Sequence, residues 1–204
     1  MKRGLALIGV AIAVLSSAAA IVAVSRRTSE PAGNYRGSRV PAGLPLEQFA
    51  LMSYRGERVT KQSLRGKVVA LTFLESKCKQ ACPVIAFAVA RGVERLSATE
   101  RQQMSAIAIS VHPEDDTPAS VVEFLRRRRA VGKLDYLIGS EAELTPVWRR
   151  FHVLSALESG DANTHSASVH VYDRQGFWVS SLHPGVDLTP ENFAHDVRLA
   201  LAGG

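Results

Sequence analysis

Val68-Val69-Ala70-Leu71-Thr72-Phe73-Leu74-Glu75-Ser76-Lys77-Cys78-Lys79-Gln80-Ala81-Cys82-Pro83-Val84 is the stretch on which the fold turns. Its first seven residues are apolar on both faces, as a central strand buried between two layers would be. From Val84 to Leu96 the apolar positions recur with helical period. A buried strand running straight into a helix places the thiols of Cys78 and Cys82 at the carboxyl end of a sheet. Helix-terminal N–H groups there favour a thiolate.

Upstream, Leu64-Arg65-Gly66-Lys67 leads into the strand, and Tyr54-Arg55-Gly56-Glu57 reads as a turn between two short strands flanked by Phe49, Leu51 and Val59. Downstream, Met104 to Val111 is a second apolar strand, rich in β-branched residues. Thr117 can cap a helix over Pro118 to Val131, with Pro118 in its first turn. A short strand follows at Leu134 to Ile138 and a helix at Glu141 to Phe151. Ala167 to Tyr172 and Phe177 to Leu182 flank Asp173-Arg174-Gln175-Gly176 as a hairpin, and a closing helix runs from Thr189-Pro190 to about Leu201. This order predicts an α/β thioredoxin-like sandwich, a central mixed sheet with helices on both faces.

The chain has 204 residues and 46% hydrophobic composition, enough for one such domain with a targeting segment and a linker. Gly4 to Val24 is apolar or small throughout, about 21 residues, close to the length that crosses a bilayer as a helix. Lys2 and Arg3 precede it and Arg26 ends it. The run continues past the small residues Ser17 to Ala20, which favours an uncleaved anchor over a signal peptide. The expected layout is an N-terminal transmembrane anchor over 1–27, a flexible Ser/Pro/Gly/Arg-rich linker over 28–44, and the sandwich over 45–204. The net charge of +6 is concentrated at the anchor: setting aside Lys2, Arg3, Arg26 and Arg27 leaves 21 basic against 19 acidic residues. The basic balance therefore argues for membrane delivery and against nucleic acid as a partner.

The two cysteines are the only ones in the sequence, and three residues separate them. A structural disulfide closing so short a loop stabilises little. A thiolate is both a nucleophile and a soft metal ligand, so the placement serves disulfide exchange or copper binding. Three intervening residues set the sulfurs one helical turn apart, where both can bind one ion. Copper(II) prefers nitrogen or oxygen ligands in addition, so the six histidines matter. His165 lies in a polar loop before a strand, and His112 follows a strand at its carboxyl end, within reach of the cysteine loop. His170 alternates with Val169 and Val171 and packs or faces outward; His152, His183 and His195 have no special context.

These residues carry a resemblance. Phe73 to Pro83, with its strand and C-x3-C-P, resembles the copper site of the Sco/SenC family. Ser110-Val111-His112-Pro113-Glu114-Asp115-Asp116-Thr117-Pro118 is similar to that family's second signature, and His165-Ser166-Ala167 leading to Tyr172-Asp173-Arg174-Gln175-Gly176 resembles the segment bearing its histidine ligand. The resemblance implies a membrane-anchored thioredoxin-like domain on the periplasmic side of the cell inner membrane. It implies a copper ion held by Cys78, Cys82 and His165, and a partner in the copper-bearing subunit of cytochrome c oxidase or another copper protein. The implied function is a metallochaperone for the oxidase's dinuclear copper site. The alternative is an enzyme, a thiol-disulfide oxidoreductase using Cys78 and Cys82 as its catalytic pair, with Cys78 as the nucleophile.

The chain departs from the family pattern in ways that bear on the site. Lys79-Gln80-Ala81 stand where a proline and an acid are usual, and Lys77 precedes them. Lysines beside the thiols favour thiolate but repel a cation. Thr164 replaces the usual aspartate before His165, and His112 that of the second signature. The run Arg126 to Arg129 covers every side of a helix end, where cations complement the helix dipole; contact with anionic lipid or an acidic partner is the competing expectation.

Overall fold

The computed structural model describes residues 34–153 and 168–203. The apolar segment Gly4 to Val24 and the proposed ligand His165 lie outside these. Among the described residues, no helix is long and apolar enough to cross a membrane.

Seven strands form one mixed sheet: β1 (Ala50–Ser53), β2 (Arg58–Thr60), β3 (Val68–Leu74), β4 (Met104–Ser110), β5 (Asp135–Ile138), β6 (Val169–Tyr172) and β7 (Trp178–Leu182). Their spatial order is β2-β1-β5-β4-β3-β6-β7. The central pairs β3 with β4 and β4 with β5 are parallel, and the outer strands join antiparallel. All seven residues of β3 are buried, as its two-sided apolar pattern predicts. They alternate between two cores. Val68, Ala70 and Leu74 face α1 (Ala81–Glu94), α3 (Pro118–Arg127) and α5 (Pro190–Ala202); Val69, Leu71 and Phe73 face α4 (Glu141–Arg150). Helices thus cover both faces, in agreement with the α/β sandwich read from the sequence.

The short helix α2 (Ala98–Gln102) buries no residue and so leaves no apolar period. Its signal is the capping box Ser97-Ala98-Thr99-Glu100, in which the Ser97 side chain accepts from the Glu100 N–H and the Glu100 carboxylate accepts from the Ser97 N–H. Helix α3 stops at Arg127, short of the Val131 expected from its composition, and the chain turns at Arg129, with φ of 55°. Arg126 and Arg127 both pair with Glu123 on the same helix, which accounts for half of the arginine run locally.

Part of the stretch read as linker is fastened to the domain. The backbone N–H groups of Arg36 and Gly37 donate to Asp196 on α5 at 2.9 and 3.0 Å, and Ser38 bridges Ser181 on β7. A Cβ on Gly37 would lie 2.6 Å from the Ser181 carbonyl oxygen, so only glycine lets the chain lie this close to β7. A spacer composition does not reveal such contacts, because every partner lies on the last strand or the last helix.

Candidate metal and thiol centre

The cysteine loop spans the gap between the end of β3 and the start of α1. Helix α1 begins at Ala81, three residues before the apolar period announces it, so Cys82 lies inside the first turn and Cys78 just outside. Pro83 also falls in that turn, where its missing N–H has no intrahelical acceptor to lose. The N-cap Gln80 makes no side-chain capping bond. Instead, the N–H groups of Gln80, Ala81 and Cys82 at the helix start help to lower the pKa of the Cys78 thiol.

Both cysteines are free thiols, Cys78 half-buried and Cys82 buried. The interaction between the two thiols is the largest influence on the pKa of both. Together with the three backbone N–H groups it outweighs burial and holds Cys78 down at about 5. Cys82 is pushed far above the ordinary thiol range by the same interaction, and burial adds to the rise. At neutral pH the pair shares one proton, with the negative charge at the more exposed sulfur.

The loop is held from behind by Asp116, a carboxylate only 3% exposed. It accepts from the Ser76 N–H at 2.7 Å, the Ser110 hydroxyl at 2.6 Å and the Tyr136 hydroxyl at 2.8 Å. It thereby ties the cysteine loop to the end of β4 and to Tyr136 within β5. Trp148 of α4 donates to the Ser110 carbonyl at 2.8 Å from the other face. Lys77 pairs with Asp115, so one of the two lysines beside the thiols is neutralised within the domain.

Glu75 is the residue that the sequence reading passed over. It is 7% exposed directly after the last residue of β3, burial raises the pKa of its carboxyl, and its Oε2 has no hydrogen-bond partner among the described residues. A glutamate directly after an apolar strand was its signal. His112 does come to this end of the sheet: its charge acts on Glu75, and its Nδ1 lies 3.4 Å from Asp115. His170 packs, its ring stacked on Trp178 at 4.0 Å. It lines a separate cavity of about 390 Å³ with His152, His183, Tyr172 and Phe151. Burial lowers its pKa to about 4. Among the described residues, no three His, Cys, Asp or Glu side chains are placed to hold a metal ion.

A mixed sheet sandwiched by helices, with a polarised cysteine pair at the start of the helix after the central strand, defines a thioredoxin-like thiol or metal-handling domain. The sequence profile of one family, SCO1/SenC, matches residues 42–202, and the chain belongs to that family. It is similar to the mitochondrial SCO1 homolog 1 of Arabidopsis thaliana, 31% identical over 105 residues that cover 52% of this chain and 31% of that protein. The SCO1 homolog of Bacillus subtilis is 26% identical over 165 residues, 78% of this chain and 84% of that one. Among solved structures, ScoI of Bradyrhizobium japonicum with copper bound superposes with a TM-score of 0.65 at 29% identity, over 78% of this chain and all of that one.

Proposed function

We propose that this chain is a copper metallochaperone for the assembly of cytochrome c oxidase, delivering copper to the dinuclear copper site. In this reading the apolar segment 4–24 anchors it in the inner membrane with the sandwich on the periplasmic side. Cys78, Cys82 and His165 hold the ion. The observation that carries the reading is the cysteine pair itself: two free thiols one turn apart, one already a thiolate at neutral pH, in a domain similar to a copper-bound ScoI. Soft sulfur donors suit copper, and the preformed thiolate removes one of the two deprotonations that binding requires. No third His, Cys, Asp or Glu donor is placed with them among the described residues, and His165 lies outside those residues.

The same polarisation supports a second reading, thiol-disulfide exchange. There Cys78 attacks a partner disulfide and forms a mixed disulfide while one partner sulfur leaves as thiolate; Cys82 then gives up its proton, attacks the Cys78 sulfur, and releases the second partner thiol. One variant separates the two. Copper titration of the full chain in detergent should give one equivalent bound, with thiolate-to-copper(II) absorption, and His165→Ala should abolish that absorption and oxidase assembly. Full assembly activity in His165→Ala would overturn the chaperone reading in favour of exchange.

A further inference from the structure

We propose that the outer face of α1 next to the cysteines, Val84 and Phe87 with Lys79 at its edge, is the docking surface for an acidic-rimmed, apolar-centred protein that receives the metal. This deepens the copper-transfer reading and rests on it.

Helix α1 turns Ile85, Ala86, Val89 and Ala90 into the core and leaves Val84 and Phe87 49% and 47% exposed. Residues three apart on a helix are neighbours, so the two make one apolar patch. Among the described residues, no other helix leaves two large apolar side chains exposed in this way. Packing inside the domain does not explain the pair. Geometry of transfer does. Ligand exchange requires a partner's donors within bonding distance of the half-buried Cys78 and the buried Cys82, so the partner must press against this end of the helix. A standard interface covers about 800 Å² on each partner, a disc of about 16 Å radius. Phe87 lies six residues beyond Ala81, about 9 Å along the helix axis, well inside that disc. Val84 and Phe87 thus lie within the reach along the helix of an interface centred on the start of α1. An apolar centre is also what interface cores favour.

The charge at the edge fixes the partner's chemistry. Lysines next to a cation-binding pair weaken the hold on the cation. Lys77 is compensated by Asp115. Lys79 is exposed and makes no ion pair with a described residue, while the exposed Glu114 lies across the site in the loop after β4. An uncompensated cation at the helix end is useful against an acidic surface: it speeds encounter and fixes register, and it is screened by salt.

The test uses the full chain in detergent and, as probe, the metal-free soluble copper-bearing domain of the oxidase from the same organism. Binding is followed by surface plasmon resonance at low and high salt. Phe87→Ser and Lys79→Glu should each weaken docking about tenfold, with Lys79→Glu also flattening the salt dependence, while copper titration and urea unfolding of Phe87→Ser stay as in wild type. Val131→Ser, at a residue 51% exposed ahead of β5 and so at the opposite end of the sheet from the cysteine loop, should change nothing. Wild-type docking with both variants indifferent overturns the surface and leaves the chaperone reading standing. Failure of the wild type to dock overturns both. Concentration-dependent self-association abolished by Phe87→Ser would assign the patch to a second copy and overturn the proposal.

Discussion

Two buried aspartates, Asp116 behind the cysteine loop and Asp196 on α5, each gather at least three hydrogen bonds, yet they hold different things. Asp116 takes its bonds from Ser76 just past β3, Ser110 at the end of β4 and Tyr136 within β5, and fixes the loop that presents the thiols. Asp196, with no exposed surface, takes the N–H groups of Arg36 and Gly37, the Ser180 hydroxyl at 2.6 Å, and a contact with His195 Nδ1 at 2.9 Å. It fixes the point where the chain arrives at the domain. A buried carboxylate is tolerated only when its lone pairs are filled, and both sites fill them. The contrast teaches that one chemical device separates two tasks: the Asp196 clamp serves the fold, the Asp116 clamp the site.

The sharpest way to break this division is Asp196→Ala. It strands the buried Gly37 N–H, the part-buried Arg36 N–H and the buried Ser180 hydroxyl, and each unsatisfied buried group costs about 1–3 kcal/mol. The expected loss is about 4 kcal/mol in urea unfolding, with copper binding per folded molecule unchanged. Lost copper binding in the folded variant would show that the clamps are not independent. For Asp116→Ala the expected loss is smaller, about 3 kcal/mol, because the Ser76 N–H is part-buried and the freed loop end can reach solvent. Here the folded protein should bind copper at least tenfold more weakly. An Asp116→Ala protein that unfolds earlier but binds copper like wild type would reduce this clamp to a structural one as well.

The two clamps also differ in how far the sequence discloses them. Asp116 lies within Ser110 to Pro118, a stretch already conspicuous for its acids and its Thr-Pro helix start, and its partners are 6 to 40 residues away. Asp196 sits among Phe193, Ala194, Val197 and Ala200 on the buried side of α5, and a charge on an apolar face implies a partner. That partner is 160 residues away in sequence, so neither periodicity nor spacing names it, and the Ser/Gly/Arg composition around Gly37 reads as spacer. The strands were legible because two-sided burial leaves a continuous apolar run, as in β3. The thiol pair was legible because it sits at a strand-to-helix junction. The polarity within the pair was not: it depends on which sulfur meets the helix N–H groups, and that follows from α1 starting at Ala81, three residues ahead of its apolar period.

That polarity gives the finest comparison of the clamps, through the pH dependence of alkylation at Cys78. Only the thiolate reacts, so the rate follows its population. The folded-state value of about 5 is depressed below that of a free thiol near 8.5, so the rate should climb through pH 5 and be level by pH 7. Cys82→Ala removes the largest stabilising interaction and should move the midpoint upward by more than one unit. Asp116→Asn acts at one remove: it leaves the helix N–H groups in place but loosens the Ser76 anchor that sets where Cys78 stands against them. Its midpoint should rise by about half a unit, under 1 kcal/mol. Asp196→Asn should leave the midpoint where it is, since none of its partners touches the loop. Equal shifts in the two variants would mean that the thiolate reports global loosening and that the Asp116 clamp has no special claim on the site.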